Sequence, residues 1–429
     1  MGVKGSLLLE GGRVVCPMTQ RDEVADVLIK DGKIAAVANP STLDAVSGVR
    51  RIDCRGRAIL PGFVDLSSEL ADPGMTWRED LESGSRSAAA GGFTTVLASP
   101  ATDPVIDNPS VAREVIDRMS KVEGARLVQS GSLTVGMAGE ELAEMGRMVS
   151  VGIGGLSDGG RLINDTGVLR RALQYARPQG VPVILRPGDR DLEKGGVMHE
   201  GRTSIRIGLH GIPAASEEIG MARIVSLVRM TGTPVHVSHV TTGRALQTLQ
   251  AALEEGLPIT AAVPARNLLL TDHQVEESVY DTSFRLLPPL RPEFDVSMLR
   301  KGVGDLCIGA DHVPWGRVGK ELEFNYAQPG ALGFETAAAA AHTVIGNLKE
   351  LAMSMSIRPG QVLGFEPRIA EGHTADLVIF DPEAPWRVTD SFASKSSNDP
   401  ILGRTLMGLV CGTIVDGHIV FEGETLRLF

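Results

Sequence analysis

Eight short apolar runs recur through the middle of this chain, separated by stretches of helical character, and no other feature constrains the fold so strongly. They occupy 58–66, 93–100, 125–133, 151–156, 181–186, 234–240, 258–264 and 306–311. Runs such as VPVILR (181–186) and PITAAVP (258–264) are nearly continuous in apolar residues, as parallel strands buried on both faces are. Between the last runs, EEIGMARIVSLVRM (217–230) spaces its apolar residues three and four apart, the period of an amphipathic helix. Alternating strand and helix predicts a parallel sheet, and eight units predict a closed (β/α)8 barrel of the TIM type. Such a barrel uses about 250 residues, and the chain has 429. The surplus lies at both ends.

Those ends have a different texture. Residues 6–60 alternate short apolar runs with Gly, Asp and Asn, and Asp31-Gly32 marks a hairpin because Asp-Gly supplies the positive φ of a type I′ turn. The C-terminal stretch repeats the style, with Asp416-Gly417 as its turn. The expected organisation is a small β-sandwich built from 1–57 and 365–429, flanking a barrel over 58–364. The alanine run 337–342 reads as part of a helix.

Charge and cysteine content narrow the function. Forty-two basic against fifty-three acidic residues give a net charge of −11 without a basic cluster, which argues against a nucleic-acid partner. Cys16, Cys54, Cys307 and Cys411 are too scattered for a disulfide framework or a zinc knuckle and read as buried thiols in a reducing compartment. The opening MGVKGSLLLEGG offers only three consecutive leucines, so neither a signal peptide nor a membrane anchor is expected, and the protein is expected to be cytoplasmic. The glycine-rich 152–160 lacks the Lys-Ser/Thr of a phosphate cradle and reads as a turning βα loop.

In a TIM barrel the chemistry sits where the strands end, which singles out Ser67, Glu69, Ala101, Asp158, Arg186, His239, Arg266 and Asp311. All nine histidines lie at or beyond residue 199. The first strands therefore supply no imidazole to that mouth.

At these residues the chain resembles the dihydroorotase branch of the amidohydrolase superfamily. The strings PGFVDL (61–66), ADPG (71–74), AAAGGFTTV (88–96), DPVIDNP (103–109), EKGGVMHEG (193–201), GLHGIPAASE (208–217), HVSHVTT (236–242), LLLTD (268–272), PPLR (288–291), ADHVP (310–314) and PGALGFET (329–336) stand in the family's order across nearly the whole chain. The resemblance implies a cyclic amide hydrolase that interconverts N-carbamoyl-L-aspartate and dihydroorotate. In that chemistry one or two divalent metals activate water and polarise the amide.

The same resemblance shows what is replaced. The family's first strand ends in His-x-His and a following Arg, where this chain has Ser67, Glu69 and Ala71. After the fourth strand, where relatives place a carboxylated lysine or an aspartate, this chain keeps a suitable carboxylate in Asp158, and no lysine occurs between Lys121 and Lys194. The ligand histidine after the fifth strand is Arg186, whose guanidinium has no lone pair to donate. His239 and Asp311 match a ligand histidine and the carboxylate that acts as ligand and base. At the substrate positions stand Ala71, Ala101, Leu287 and Trp315. Each lost charge-assisted hydrogen bond is worth ~1.5–3 kcal/mol, so losing several removes about three decades of affinity.

The expectation is a catalytically inactive dihydroorotase homologue with no tightly bound metal, with Asp311 a vestigial general base and Arg186 standing in for the metal by pairing with Asp158, Asp311 or Glu69. His236 and His312 are expected to be structural. The resemblance further implies an oligomeric assembly with aspartate transcarbamoylase, the preceding enzyme of pyrimidine biosynthesis. Two alternatives stand beside it. One is a weakly active or altered-substrate amidohydrolase holding Mg²⁺ or Mn²⁺ on Glu69, Asp158, His239 and Asp311; the other is a module binding a different small molecule.

Overall fold

The computed structural model describes residues 6–424 and 426–428. From the N-terminus run β1 (Ser6–Cys16), β2 (Arg21–Lys30), β3 (Lys33–Ala38), β4 (Val49–Asp53) and β5 (Ala58–Pro61). Then come β6 (Phe63–Ser68), β7 (Phe93–Ala98), β8 (Arg126–Gly131), β9 (Gly155–Ser157) and β10 (Val183–Leu185). A small excursion, β11 (Met198–His199) and β12 (Gly211–Ile212), precedes β13 (Val235–Val237), β14 (Ile259–Pro264) and β15 (Cys307–Gly309). The chain returns through β16 (Leu377–Arg387), β17 (Thr405–Val415), β18 (His418–Glu422) and β19 (Arg427–Leu428).

β6 to β10 and β13 to β15 form one eight-stranded sheet in chain order, all neighbours parallel. Each strand falls within, or within two residues of, one of the eight apolar runs. Helices occupy the intervals, and the longest, Ala214–Thr231, buries Met221, Ile224, Val225 and Val228 at the predicted spacing. Where the last strand meets the first, a side chain bridges the seam: the Asp65 carboxylate accepts from the Ala310 amide at 2.8 Å and from the Ser68 hydroxyl at 2.6 Å.

The terminal segments meet in one nine-stranded sheet, ordered β18-β17-β16-β5-β1-β2-β3, with β4 on β1 and β19 on β4. A bulge in β1 between Leu9 and Gly12 lets its one edge pair with β4 and then with β5. Gly11 takes φ +65° there, a conformation that costs a residue without Cβ little. Leu9, Val27, Ile34 and Ile52 from the N-terminal strands share one buried core with Leu377, Ile379 and Ile414. The anticipated sandwich is thus one sheet folded around a joint core.

The run 58–66 is not one barrel strand. Ala58–Pro61 pairs with β1 and β16, and Phe63–Ser68 starts the barrel, so the junction lies at Gly62 rather than before residue 58. A Cβ at Gly62 would meet the Thr94 side chain at 2.2 Å, a closeness no larger residue tolerates. Both Asp-Gly turns adopt positive φ at both residues, as type I′ requires. The alanine run lies in helix Phe334–Ile345, and all four cysteines are buried. Among the described residues no helix is long and apolar enough to cross a membrane.

Glu335, in the first turn of that helix, ties the barrel to the returning chain by accepting from the Ser87 hydroxyl at 2.8 Å and the Ala393 amide at 2.9 Å. Burial pushes its carboxyl up to about 7 despite these bonds. The folded chain then keeps a proton that the unfolded chain releases near pH 4.5, so stability falls as pH rises from about 4.5 to about 7. Glu335→Gln, which is permanently neutral, should flatten that decline in melting temperature. Parallel profiles for the two proteins would show that Glu335 does not titrate there.

Candidate functional site

His239, Arg266 and Asp311 meet at the C-terminal mouth of the barrel. His239 lies two residues beyond β13, Asp311 two beyond β15, and Arg266 in helix Ala265–Leu269 directly after β14. His239 Nε2 stands 2.8 Å from Asp311 Oδ1. Arg266 Nη2 donates to Asp311 Oδ2 and to the Asp311 carbonyl, and its Nη1 donates to the Leu332 carbonyl at 2.9 Å. All three side chains are buried. Burial opposes ionisation of Asp311, but the charges and hydrogen bonds of His239 and Arg266 outweigh it and hold the carboxyl below its usual range. His239 and Asp311 both occupy the left-handed region, at φ 62° and 47°, a conformation that persists in such residues only where surrounding contacts impose it.

Beneath this cluster the barrel interior is nearly filled: the cavity there, bordered by Ser67, His239 and Asp311, measures about 20 Å³, about room for a single water.

The other candidate residues are held elsewhere. Arg186 does not pair with Asp158, Asp311 or Glu69. It forms a two-pronged ion pair with Glu193, both contacts at 2.8 Å, and donates through Nε to the Gly160 carbonyl at 2.8 Å. The reason is local: Glu193 ends the short helix Arg190–Glu193 seven residues on, within reach of the same loop. Asp158 already accepts from the Leu133 and Thr134 amides at 2.8 and 3.0 Å, and from the Thr134 hydroxyl. Burial nevertheless raises its carboxyl above the usual range. Asp158 and Arg186 line a separate small cavity that includes neither His239 nor Asp311.

Glu69 is bound by Arg78, whose Nη2 lies 2.7 Å from Oε2. Arg78 also donates to the Pro314 carbonyl at 2.9 Å, and its guanidinium sits 3.7 Å from the centre of a Trp315 ring. Trp315 is anchored through Nε1 to the Pro329 carbonyl at 3.0 Å. An Arg–aromatic stack bound to a carboxylate thus joins Glu69 and Trp315 through Arg78. Ala71 is buried and Ala101 and Leu287 are half-buried, and none offers a polar side-chain atom. His236 bonds the Thr260 hydroxyl through Nδ1 at 2.9 Å; His312 stacks on Phe334 with ring centres 4.2 Å apart.

A second buried ion pair supports the His239 loop. Glu217 accepts from the Thr241 and Thr242 amides, each at 2.7 Å, from both hydroxyls, and from Arg291 at 3.2 Å. Arg291 also faces His199 Nδ1 at 3.2 Å, and burial together with that guanidinium pushes the His199 imidazole down to about 4. Sequence reasoning named Arg266 as a strand-end residue without assigning its partner, and it missed Arg78, Glu217 and Arg291. Glu217 and Arg291 both stood inside quoted motifs, at the ends of PAASE and PPLR, which was the available signal.

Residues 56–245 match a family described as "Dihydro-orotase-like". A dihydroorotase from Trichlorobacter lovleyi is 37% identical over 98% of this chain and all of its own length. A dihydroorotase from Anaeromyxobacter sp. strain K is 40% identical over 97% of this chain and 98% of its own. The chain belongs to the dihydroorotase family. Among solved structures, the L-hydantoinase (dihydropyrimidinase) from Arthrobacter aurescens superposes with a TM-score of 0.85, covering 98% of this chain and 97% of that one at 23% identity, a likeness of fold.

The metals that the dihydroorotase resemblance implies do not fit this member of the family. His239 is the one imidazole of the cluster, and the carboxylate opposite is already neutralised by Arg266. Glu69 is committed to Arg78 and Asp158 to backbone amides. Among the described residues no three His, Cys, Asp or Glu side chains are grouped to hold a cation. A divalent ion at Asp311 would have to displace a buried guanidinium that has no other carboxylate partner in the cluster.

Proposed function

We propose that this chain is a non-catalytic member of the dihydroorotase family that serves pyrimidine biosynthesis as a structural partner of aspartate transcarbamoylase. The observation that supports it most is the Arg266–Asp311–His239 cluster. A carboxylate that must hold a metal and take a proton from water is instead closed by a guanidinium at one oxygen and an imidazole at the other. Without a metal there is no hydroxide near neutral pH, because unassisted water ionises only far above neutrality. The positions that would recognise the substrate carboxylate present Ala71, Ala101, Leu287 and Trp315 in its place. The choice of partner rests on the family resemblance.

The test joins three measurements on the full chain: metal content after purification in zinc-supplemented medium, dihydroorotate hydrolysis, and co-elution with the aspartate transcarbamoylase of the same organism. The expected result is no stoichiometric metal, no turnover above buffer, and a common peak with the transcarbamoylase. Stoichiometric zinc accompanied by turnover would sink the non-catalytic reading. Separate elution at micromolar concentrations would sink the partnership.

A further inference from the structure

The face of the barrel opposite the His239 cluster, where β10, β13, β14 and β15 begin, contains a cavity of about 500 Å³. That volume falls within the range of small-molecule sites. TIM-barrel chemistry is confined to the other face, so this cavity is independent of the site described above.

Its walls are largely apolar, among them Val181, Leu257, Ile259 and Leu363. Two guanidinium groups stand in the lining. Arg177 is exposed and bonded to the Thr231 carbonyl at 2.8 Å; half-buried Arg358 bonds the Leu306 carbonyl at 3.1 Å and Glu350 at 2.7 Å. Asp305 is also in the lining, with one oxygen taken by Gln250 at 2.8 Å. His236, 1% exposed, also borders the cavity, with its Nδ1 used by Thr260 and its Nε2 enclosed by protein. His236 and Cys307 border both this cavity and the small one beneath Asp311. A single layer of side chains separates the two.

We propose that this cavity is a binding site for a small amphipathic carboxylate, with its apolar body among the aliphatic walls and its carboxylate at the exposed Arg177. The inference does not rest on the reading of the upper mouth, and its failure would leave that reading intact.

Calorimetric titration of the full chain with 4-phenylbutyrate and with 4-phenylbutanol tests it. Saturable one-to-one binding of the carboxylate is expected, with the alcohol about ten-fold weaker or worse, the value of one charge-assisted hydrogen bond. Arg177→Gln, at an exposed position, should weaken the carboxylate by a similar factor and leave the alcohol unchanged. Val362→Trp, which narrows the cavity from its lining, should weaken binding of both. Absence of saturable binding of the carboxylate, equal affinity for the alcohol, or carboxylate affinity undiminished in Arg177→Gln would overturn the proposal.

Discussion

Replacing Arg266 with methionine is expected to lower the unfolding free energy by about 3–5 kcal/mol, the usual cost of breaking a buried ion pair from one side. The side chain is 3% exposed. Its loss strands the Asp311 carboxylate beside His239 alone and frees the Leu332 and Asp311 carbonyls that Arg266 now satisfies. The double variant Arg266→Met, Asp311→Leu should recover much of the loss, since it removes the buried charge together with its partner. Urea denaturation of the three proteins at neutral pH decides it: a single variant within 1 kcal/mol of the parent, or a double variant less stable than the single, contradicts the ion-pair account. The sign of the pH dependence follows from Asp311 being held below its usual range. The pair's contribution is present above the ordinary carboxylate pKa of about 3.9 and is lost as pH falls through the lower folded value.

Glu217→Ala should be comparably damaging, at about 3–5 kcal/mol, because it leaves Arg291 buried without its carboxylate and two loop amides without an acceptor. Glu217→Gln should recover only part of this. An amide offers one accepting oxygen; with that oxygen on the Thr241 and Thr242 amides, its NH₂ would face the Arg291 guanidinium, another donor. Hydrogen exchange at those two amides separates this from generic loss of packing: both should become fast in Glu217→Ala at temperatures where β13 and β14 remain protected. Slow exchange at both amides, with stability within 1 kcal/mol, would show that the loop is held by something else.

Much of the architecture was legible in order along the chain. A parallel strand buried on both faces has to be apolar throughout, and eight such strands therefore show as eight runs; Asp-Gly turns show because few other pairs accept positive φ twice. The junction at Gly62 was not legible, since AILP and FVDL are equally apolar and only their different neighbours, β16 on one side and β7 on the other, separate them. The candidate site divides in the same way. That Ser67, Glu69, Ala71, Ala101, Leu287 and Trp315 stand near the strand ends without an imidazole among them is stated by residue identity alone. The partners of Arg186, Glu69 and Asp311 are not.

Arg186 shows why. A guanidinium at the end of the fifth barrel strand suggested a partner for the carboxylates of the mouth, yet a carboxylate seven residues away in its own loop competes better than ones across the mouth. Ordering a nearby loop residue costs less than bringing together side chains from separate strands. Arg266 reaches Asp311 because adjacent parallel strands β14 and β15 deliver their ends side by side, a proximity that 45 positions of chain conceal.

The sequence by itself determined the barrel, the joint sheet of both termini and the absence of an imidazole pair from the first strand, because periodicity and residue identity are local properties. Only the tertiary structure decided which cation closes Asp311 and that Glu217 and Arg291 brace the His239 loop. It alone placed a 500 Å³ cavity at the opposite face, because ion pairing and empty volume depend on the distance between strand ends.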